Sequence, residues 1–266
     1  MTILDKIVEN KRRELALAEA SVSIQELEGS QLFDRKTISL SSSILDRGKS
    51  GIIAEFKRKS PSKGAINTDA SVVEVTDGYF SEGASGVSIL TDSHFFGGSN
   101  VDLISAREES FFPILRKDFT ISEYQVVEAK AIGADAILII AAILDSREIK
   151  SLSKLARSLG LEVLLEIHEK SELEKVNEYI NIVGVNNRDL RSFEVNTSIS
   201  LELAPKIPAG FARISESGIT SPEEIHALRA AGFDGFLIGE RFMATPNPVK
   251  AFSDFVKSIT LSHVEG

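Results

Sequence analysis

Glu55 and Lys57 stand two residues apart at the end of an apolar run that opens with Ile52 and Ile53. Side chains two apart on a strand share a face, so this carboxylate and this ammonium point together, opposite Phe56. Burying them is costly unless they are paired or used. Ser-Pro-Ser-Lys-Gly (60–64) follows, a turn of hydroxyls, a cation and a glycine that suits an anion. The plainer reading is a buried ion pair followed by an ordinary turn.

Similar polar groups close other apolar runs. Phe-Pro-Ile-Leu (112–115) leads into Arg116, Lys117, Asp118 and Phe119, and Leu-Glu-Val-Leu-Leu-Glu (161–166) ends on Glu166. Further runs end in Asn186-Asn187-Arg188-Asp189, in Ser215-Glu216-Ser217-Gly218 and in Gly239-Glu240. Two lysines, 57 and 117, and two glutamates, 55 and 166, give acid/base capacity if they meet. A desolvated lysine has a lowered pKa and a glutamate in a partly apolar pocket a raised one, and both then exchange protons near neutrality. A structural salt bridge is the alternative for each.

The elements that must bring these groups together are repetitive. Eight short apolar runs occur at 52–57, 86–90, 112–115, 136–140, 162–167, 182–185, 212–214 and 235–238. Helical patterns fill most gaps, at 71–83, 122–133, 146–160, 171–179 and 221–232, each beginning at a serine suited to capping. Continuous apolar strands alternating with helices predict a parallel sheet covered by helices, and eight units fit a closed (β/α)8 TIM barrel. An open doubly wound sheet is expected to carry a glycine-rich fingerprint after its first strand, where Ser-Pro-Ser-Lys-Gly stands instead. Residues 1–50 read as an N-terminal helical extension, with a helix over 3–20 and a short one near 24–27, and 51–260 as the barrel domain. The tail, 261–266, reads as loose.

Barrels of this kind place their active-site residues at the C-terminal ends of the strands, so polar groups from six strands converge on one rim. An anion site is expected from Ser217, Gly218 and Gly239, with a short helix after Gly239, and from Ser60. Glu240 is awkward there, because its carboxylate must turn away from a bound phosphate. Phe95, Phe96 and Phe119 are candidate walls for a flat aromatic ring. Glu166-x-His168 lacks the further ligands of a metal site, and His94, His226 and His263 read as surface residues.

Composition narrows the classes. The chain has 266 residues, a formal net charge of −9 and no cysteine. The charge argues against an extended nucleic-acid footprint while leaving room for a local basic site for a small anion, and the lack of cysteine excludes disulfides, thiolate metal sites and a cysteine nucleophile. No apolar run is long enough to span a membrane, and the N-terminus lacks a signal-peptide layout.

These residues together resemble the indole-3-glycerol phosphate synthase family. The matching segments are Ile-Ala-Glu-Phe-Lys-Arg-Lys-Ser-Pro-Ser-Lys-Gly (53–64), Ser-Ile-Leu-Thr-Asp with Phe-Phe-Gly-Gly-Ser (88–99) and Pro-Ile-Leu-Arg-Lys-Asp-Phe (113–119). Leu-Leu-Glu-Ile-His (164–168), Gly-Val-Asn-Asn-Arg-Asp-Leu (184–190), Ser-Glu-Ser-Gly-Ile (215–219) and Phe-Leu-Ile-Gly-Glu (236–240) follow in order. The resemblance implies a carbon–carbon lyase of tryptophan biosynthesis that closes and decarboxylates a phosphorylated anilino-ribulose. It implies Lys117 as the general acid of ring closure and Glu166 as the second acid/base group, used in dehydration. Lys57 would face the substrate carboxylate, positioned by Glu55, and Asn186 would meet the reacting hydroxyls. Arg188 and Leu190 would be further pocket residues, and Ser60, Ser217, Gly218 and Gly239 substrate and phosphate contacts. Phe96 and Phe119 would hold the anthranilate ring. Glu240 departs from members that carry a small hydroxyl residue there. No cofactor or metal is implied, and the expected setting is cytoplasmic, as a monomer or weak homodimer without nucleic-acid or membrane partners.

Three alternatives stand beside this reading. A Schiff-base aldolase would use Lys117 or Lys57. A phosphoribosylanthranilate isomerase, a sister barrel, needs a cysteine that this chain lacks. A non-catalytic phosphate-binding module would show no turnover.

Overall fold

The computed structural model describes residues 2–189 and 194–261; Leu190, His263 and most of the tail lie outside the described residues. Eight parallel strands, β1 (Ile52–Phe56), β2 (Gly86–Leu90), β3 (Ile114–Lys117), β4 (Ala136–Ile140), β5 (Glu162–Ile167), β6 (Ile182–Asn186), β7 (Ala212–Glu216) and β8 (Gly235–Ile238), close into a barrel. Each pairs with its sequence neighbour, and β8 pairs with β1 through Ile53 and Leu237. The expected (β/α)8 architecture is present.

Both strand faces are buried, which is why the runs are apolar throughout. Ile52, Ala54 and Phe56 face outward into a layer shared with the helices. Ile53, Leu115, Leu138, Leu164, Ile182, Ile214 and Leu237 face inward and pack one central cluster. The residues two positions further along these strands rise to the next rung inside the barrel. They include Glu55, Lys117, Glu166, Glu216 and Gly239, so the periodicity that fills the core also aims the polar groups at the mouth.

The N-terminal helices touch both ends of the barrel. α1 (Ile3–Ser21) starts at a capping box between Thr2 and Asp5, and α2 (Ile24–Glu28) at one between Ser23 and Glu26. Lys11 of α1 is buried, with its ammonium 2.8 Å from Asp118 and 2.9 Å from Asp92 beside the mouth. α3 (Leu40–Leu45) plugs the opposite end, sending Leu40 and Ile44 into the central cluster. Gly86 and Gly235 make room for it, since a Cβ there would lie 2.5 Å from Leu40 and 2.7 Å from Ile44. Buried carboxylates hold the plug: Ser41 donates its backbone N–H to Glu162 at 2.7 Å, and Arg35 meets Asp135 at 2.7 Å.

Some boundaries differ from the sequence reading. β3 begins at Ile114, because Pro113 has no N–H for a ladder and only its carbonyl is used, by Val87. Asp145, not Ser146, caps the helix Ser146–Ser158, and its two backbone hydrogen bonds explain the choice. The stretch expected as a helix over 171–179 is a 3-10 segment, Lys170–Lys175, turned by Glu172. The helices Leu40–Leu45, Asn100–Glu108, Ser198–Leu203 and Pro248–Leu261 escaped the pattern reading. Among the described residues, no helix is long and apolar enough to cross a membrane.

Candidate active site

One cavity of about 850 Å³ opens at the C-terminal ends of the strands. It is lined by Glu55, Lys57, Ser60, Phe96, Lys117, Phe119, Glu166, Asn186, Arg188, Ser217, Gly218, Gly239 and Glu240. All of the expected site residues within the described residues except Phe95 are therefore brought to one place. Phe95 is not on the lining; its ring packs edge-on against His94.

Alternation sorts the polar runs. Lys117 and Phe119 turn to the cavity, whereas Arg116 turns outward to Glu128, Asn100 and the carbonyl of Gln125. Asn186 lines the cavity, while Asn187 lies behind it and donates to Ser215 Oγ at 2.9 Å and to the carbonyl of Ser217 at 3.1 Å. Ser217 has φ 67°, a conformation that strains any residue with a side chain. The clamp from Asn187 holds that turn, and Gly218, also left-handed, leaves no space for a side chain against Val195.

The charges form two groups. Lys57 donates to Glu55 at 2.7 Å. Deeper in, Lys117 donates to Glu166 at 3.1 Å and lies 3.5 Å from Glu216. Sequence reasoning left Glu216 out of the site. The signal was available, because Glu216 follows inward-facing Ile214 by two, as Lys117 follows Leu115 and Glu166 follows Leu164. Gly184 also marks it, since a Cβ there would overlap the Glu216 carboxyl.

Three buried carboxylates around one ammonium set the protonation pattern. Burial opposes charge on Lys117, but Glu166, Glu216 and Glu55 outweigh it and raise its pKa. Burial also pushes Glu166 up, yet Lys117 and then His168 prevail and hold it below the usual range. Glu216 is pushed up to about 8 by burial, against the pull of Lys117, with Glu166 and Glu55 adding repulsion. One lysine cannot keep two buried neighbouring carboxylates ionised. The expectation of a lowered lysine and a raised Glu166 is thus reversed, because the lysine has anionic neighbours and Glu166 is the carboxylate closer to it. The ensemble at rest is a charged lysine, an ionised Glu166 and a neutral Glu216.

At the rim, Glu240 reaches towards Lys63 at 3.5 Å and Arg188 at 3.9 Å. Its carboxylate is drawn to cations there, and Gly239 caps the short helix Glu240–Met243 next to Ser217 and Gly218. Phe96 and Phe119 lie with centroids 6.0 Å apart and make an aromatic wall. Ile3, Leu4 and Ile7 of α1 roof the cavity, a role the sequence did not suggest. Among the described residues no cluster of three or more His, Asp or Glu side chains is arranged to hold a metal ion. His94 is exposed and His226 partly so.

Comparison with known proteins shows the family of the chain. A family model described as indole-3-glycerol phosphate synthase matches residues 4–255. The indole-3-glycerol phosphate synthase of Bacteroides thetaiotaomicron is 46% identical over 257 residues, covering 97% of this chain and 98% of that protein. That of Carboxydothermus hydrogenoformans is 41% identical over 256 residues, covering 93% and 97%. Among solved structures, tryptophan synthase subunit alpha from Legionella pneumophila superposes with a TM-score of 0.61 at 14% identity, covering 86% of this chain and all of that one, a likeness of fold.

Proposed function

The chain belongs to the indole-3-glycerol phosphate synthase family, and from that premise we propose a role for each group in the cavity. The enzyme is a carboxy-lyase of tryptophan biosynthesis. It converts 1-(2-carboxyphenylamino)-1-deoxyribulose 5-phosphate into indole-3-glycerol phosphate, carbon dioxide and water.

Ring closure joins the aromatic carbon bearing the carboxylate to the ribulose carbonyl carbon. The carbonyl oxygen gains a proton as that bond forms, and Lys117, held charged, supplies it. The carboxylate then leaves as carbon dioxide, and its bonding electrons return to the cationic ring. Dehydration needs a proton given to the departing hydroxyl and another taken from the ring. Glu166, ionised at rest, takes one, and Glu216, neutral at rest, has one to give. Lys57, fixed by Glu55, faces the substrate carboxylate, and Phe96 and Phe119 hold the anthranilate ring. Asn186 and Arg188 meet the hydroxyls. Ser60, Ser217, Gly218 and Gly239 receive the phosphate, with Glu240 at its edge. Residues 51–260 form the catalytic barrel and 1–50 its extension. The protein works in the cytoplasm as a monomer or weak homodimer, with no nucleic-acid partner.

The observation that carries this reading is Lys117 between Glu166 and Glu216 at the floor of a cavity with an aromatic wall. It also counts against a Schiff-base lysine, which must be neutral to attack. The test follows product fluorescence on adding the substrate. The chain has no tryptophan, so an indole signal belongs to product. Lys117→Ala is expected to abolish the signal with an unchanged circular dichroism spectrum. Turnover near that of the parent enzyme would remove Lys117 from its role, and borohydride trapping of a substrate adduct would favour the aldolase.

A further inference from the structure

His168 has no part in the chemistry above, yet its place is specific. It lies two residues beyond Glu166, on the same face of β5 and its continuation, and its side chain is only 15% exposed. Its Nε2 is 3.4 Å from Glu166 Oε1, the oxygen that Lys117 does not use. Its Nδ1 is 3.8 Å from Glu172 Oε2, and that oxygen accepts the backbone N–H of His168 at 2.6 Å. Neither ring nitrogen has a hydrogen-bond partner. An imidazole between two buried carboxylates gains from being charged. The groups facing it are Glu166 on its own strand, Glu172 on the following segment, Glu216 on β7 and, across Glu166, Lys117. The end of β4, Ala141-Ala142, adds no titratable group.

We propose that His168 is a positioning residue for Glu166, an imidazolium clamp that fixes the carboxylate from the side opposite Lys117 and keeps it ionised to accept a proton. Glu172 in turn holds the backbone N–H of His168 and places a second negative charge 3.8 Å from its ring. Of Glu166, His168 and Glu172, Glu166 alone lines the cavity, already aimed and already charged. The inference rests on the reading of Glu166 as an acid/base group.

The experiment compares His168→Gln, His168→Leu and Glu166→Gln in the full-length protein, using product fluorescence from pH 5 to 9. His168→Gln keeps a donor near Glu166 but no charge; His168→Leu keeps only bulk. In both, kcat is expected to fall about tenfold with KM nearly unchanged. The acidic limb of the kcat profile is expected to move up by about one pH unit, because Glu166 without its cation protonates more readily. If leucine prevents folding, the glutamine variant decides alone through the pH limb. An inactive Glu166→Gln beside His168 variants with the parent pH profile overturns the clamp and leaves the role of Glu166 standing. A Glu166→Gln enzyme with parent turnover overturns both.

Discussion

Glu216 stands 3.5 Å from the ammonium of Lys117, yet neither of its carboxyl oxygens is hydrogen-bonded. Glu166, at 3.1 Å from the same ammonium, holds its charge. Both carboxyls are buried, which makes the second negative charge too costly, so Glu216 keeps its proton up to about pH 8. The arrangement separates a base from an acid using two identical side chains.

That separation predicts a pH signature in stability. The folded-state pKa of Glu216 is raised above its unfolded value, so between about 4.5 and about 8 the folded protein binds more protons. Stability from this group therefore falls as pH rises through that window. Glu216→Gln copies the neutral acid and is expected to flatten the fall. Urea midpoints of parent and variant at pH 5.5 and 8.5 are the measurement, with a differential effect on the order of a few kcal/mol. Parallel pH dependences would mean that Glu216 is ionised in the fold.

Gly239 predicts a steric effect. An added Cβ would meet Glu55 at 2.7 Å (Oε1) and 2.8 Å (Cβ). Gly239→Ala must push Glu55, and with it Lys57, out of place. Stability is expected to drop by about 1–3 kcal/mol. kcat/KM should fall at least about tenfold, since misplaced groups are penalised beyond any stability loss. Steady-state kinetics beside a thermal melt separate the two effects.

Lys11 predicts that the roof and the barrel are electrostatically joined. Its ammonium serves Asp92 and Asp118, which are essentially inaccessible. Lys11→Met removes the cation and leaves both carboxylates buried, a loss of about 3–5 kcal/mol. KM should rise as well, because Ile3, Leu4 and Ile7 line the cavity through the same helix. A melt within about one degree of the parent would show that the ion pairs carry no net stability.

The barrel was legible because parallel strands are covered on both faces and so leave unbroken apolar runs. Much of the site was legible for a related reason: a polar residue at the end of such a run is out of place unless used, as with Glu55, Lys57, Lys117 and Glu166. Glu216 was passed over because it sits among serines, where a polar residue looks ordinary; counting two on from Ile214 would have singled it out. The pKa order of the carboxyls was not legible, since it depends on a difference of a few tenths of an ångström to Lys117. Nor was the partner of Lys11, which joins residues about a hundred positions apart. α3 hid among serines, although Leu40 and Ile44 at a spacing of four marked one apolar face.

That plug supplies a prediction remote from the chemistry. Leu40 is fully buried and, with Ile44, closes the end of the barrel opposite the cavity. Leu40→Ala would open a void against Gly86, whose missing side chain exists to receive the leucine. The surrounding strands are tied by their ladders and cannot collapse into it, so the loss should be about 2–5 kcal/mol. The central cluster lies between the void and Lys117, so at a temperature where the variant remains folded kcat and KM should stay near parent values. Chemical denaturation with steady-state kinetics measures both. A stable but slow variant would show that the floor of the barrel sets the geometry at its mouth.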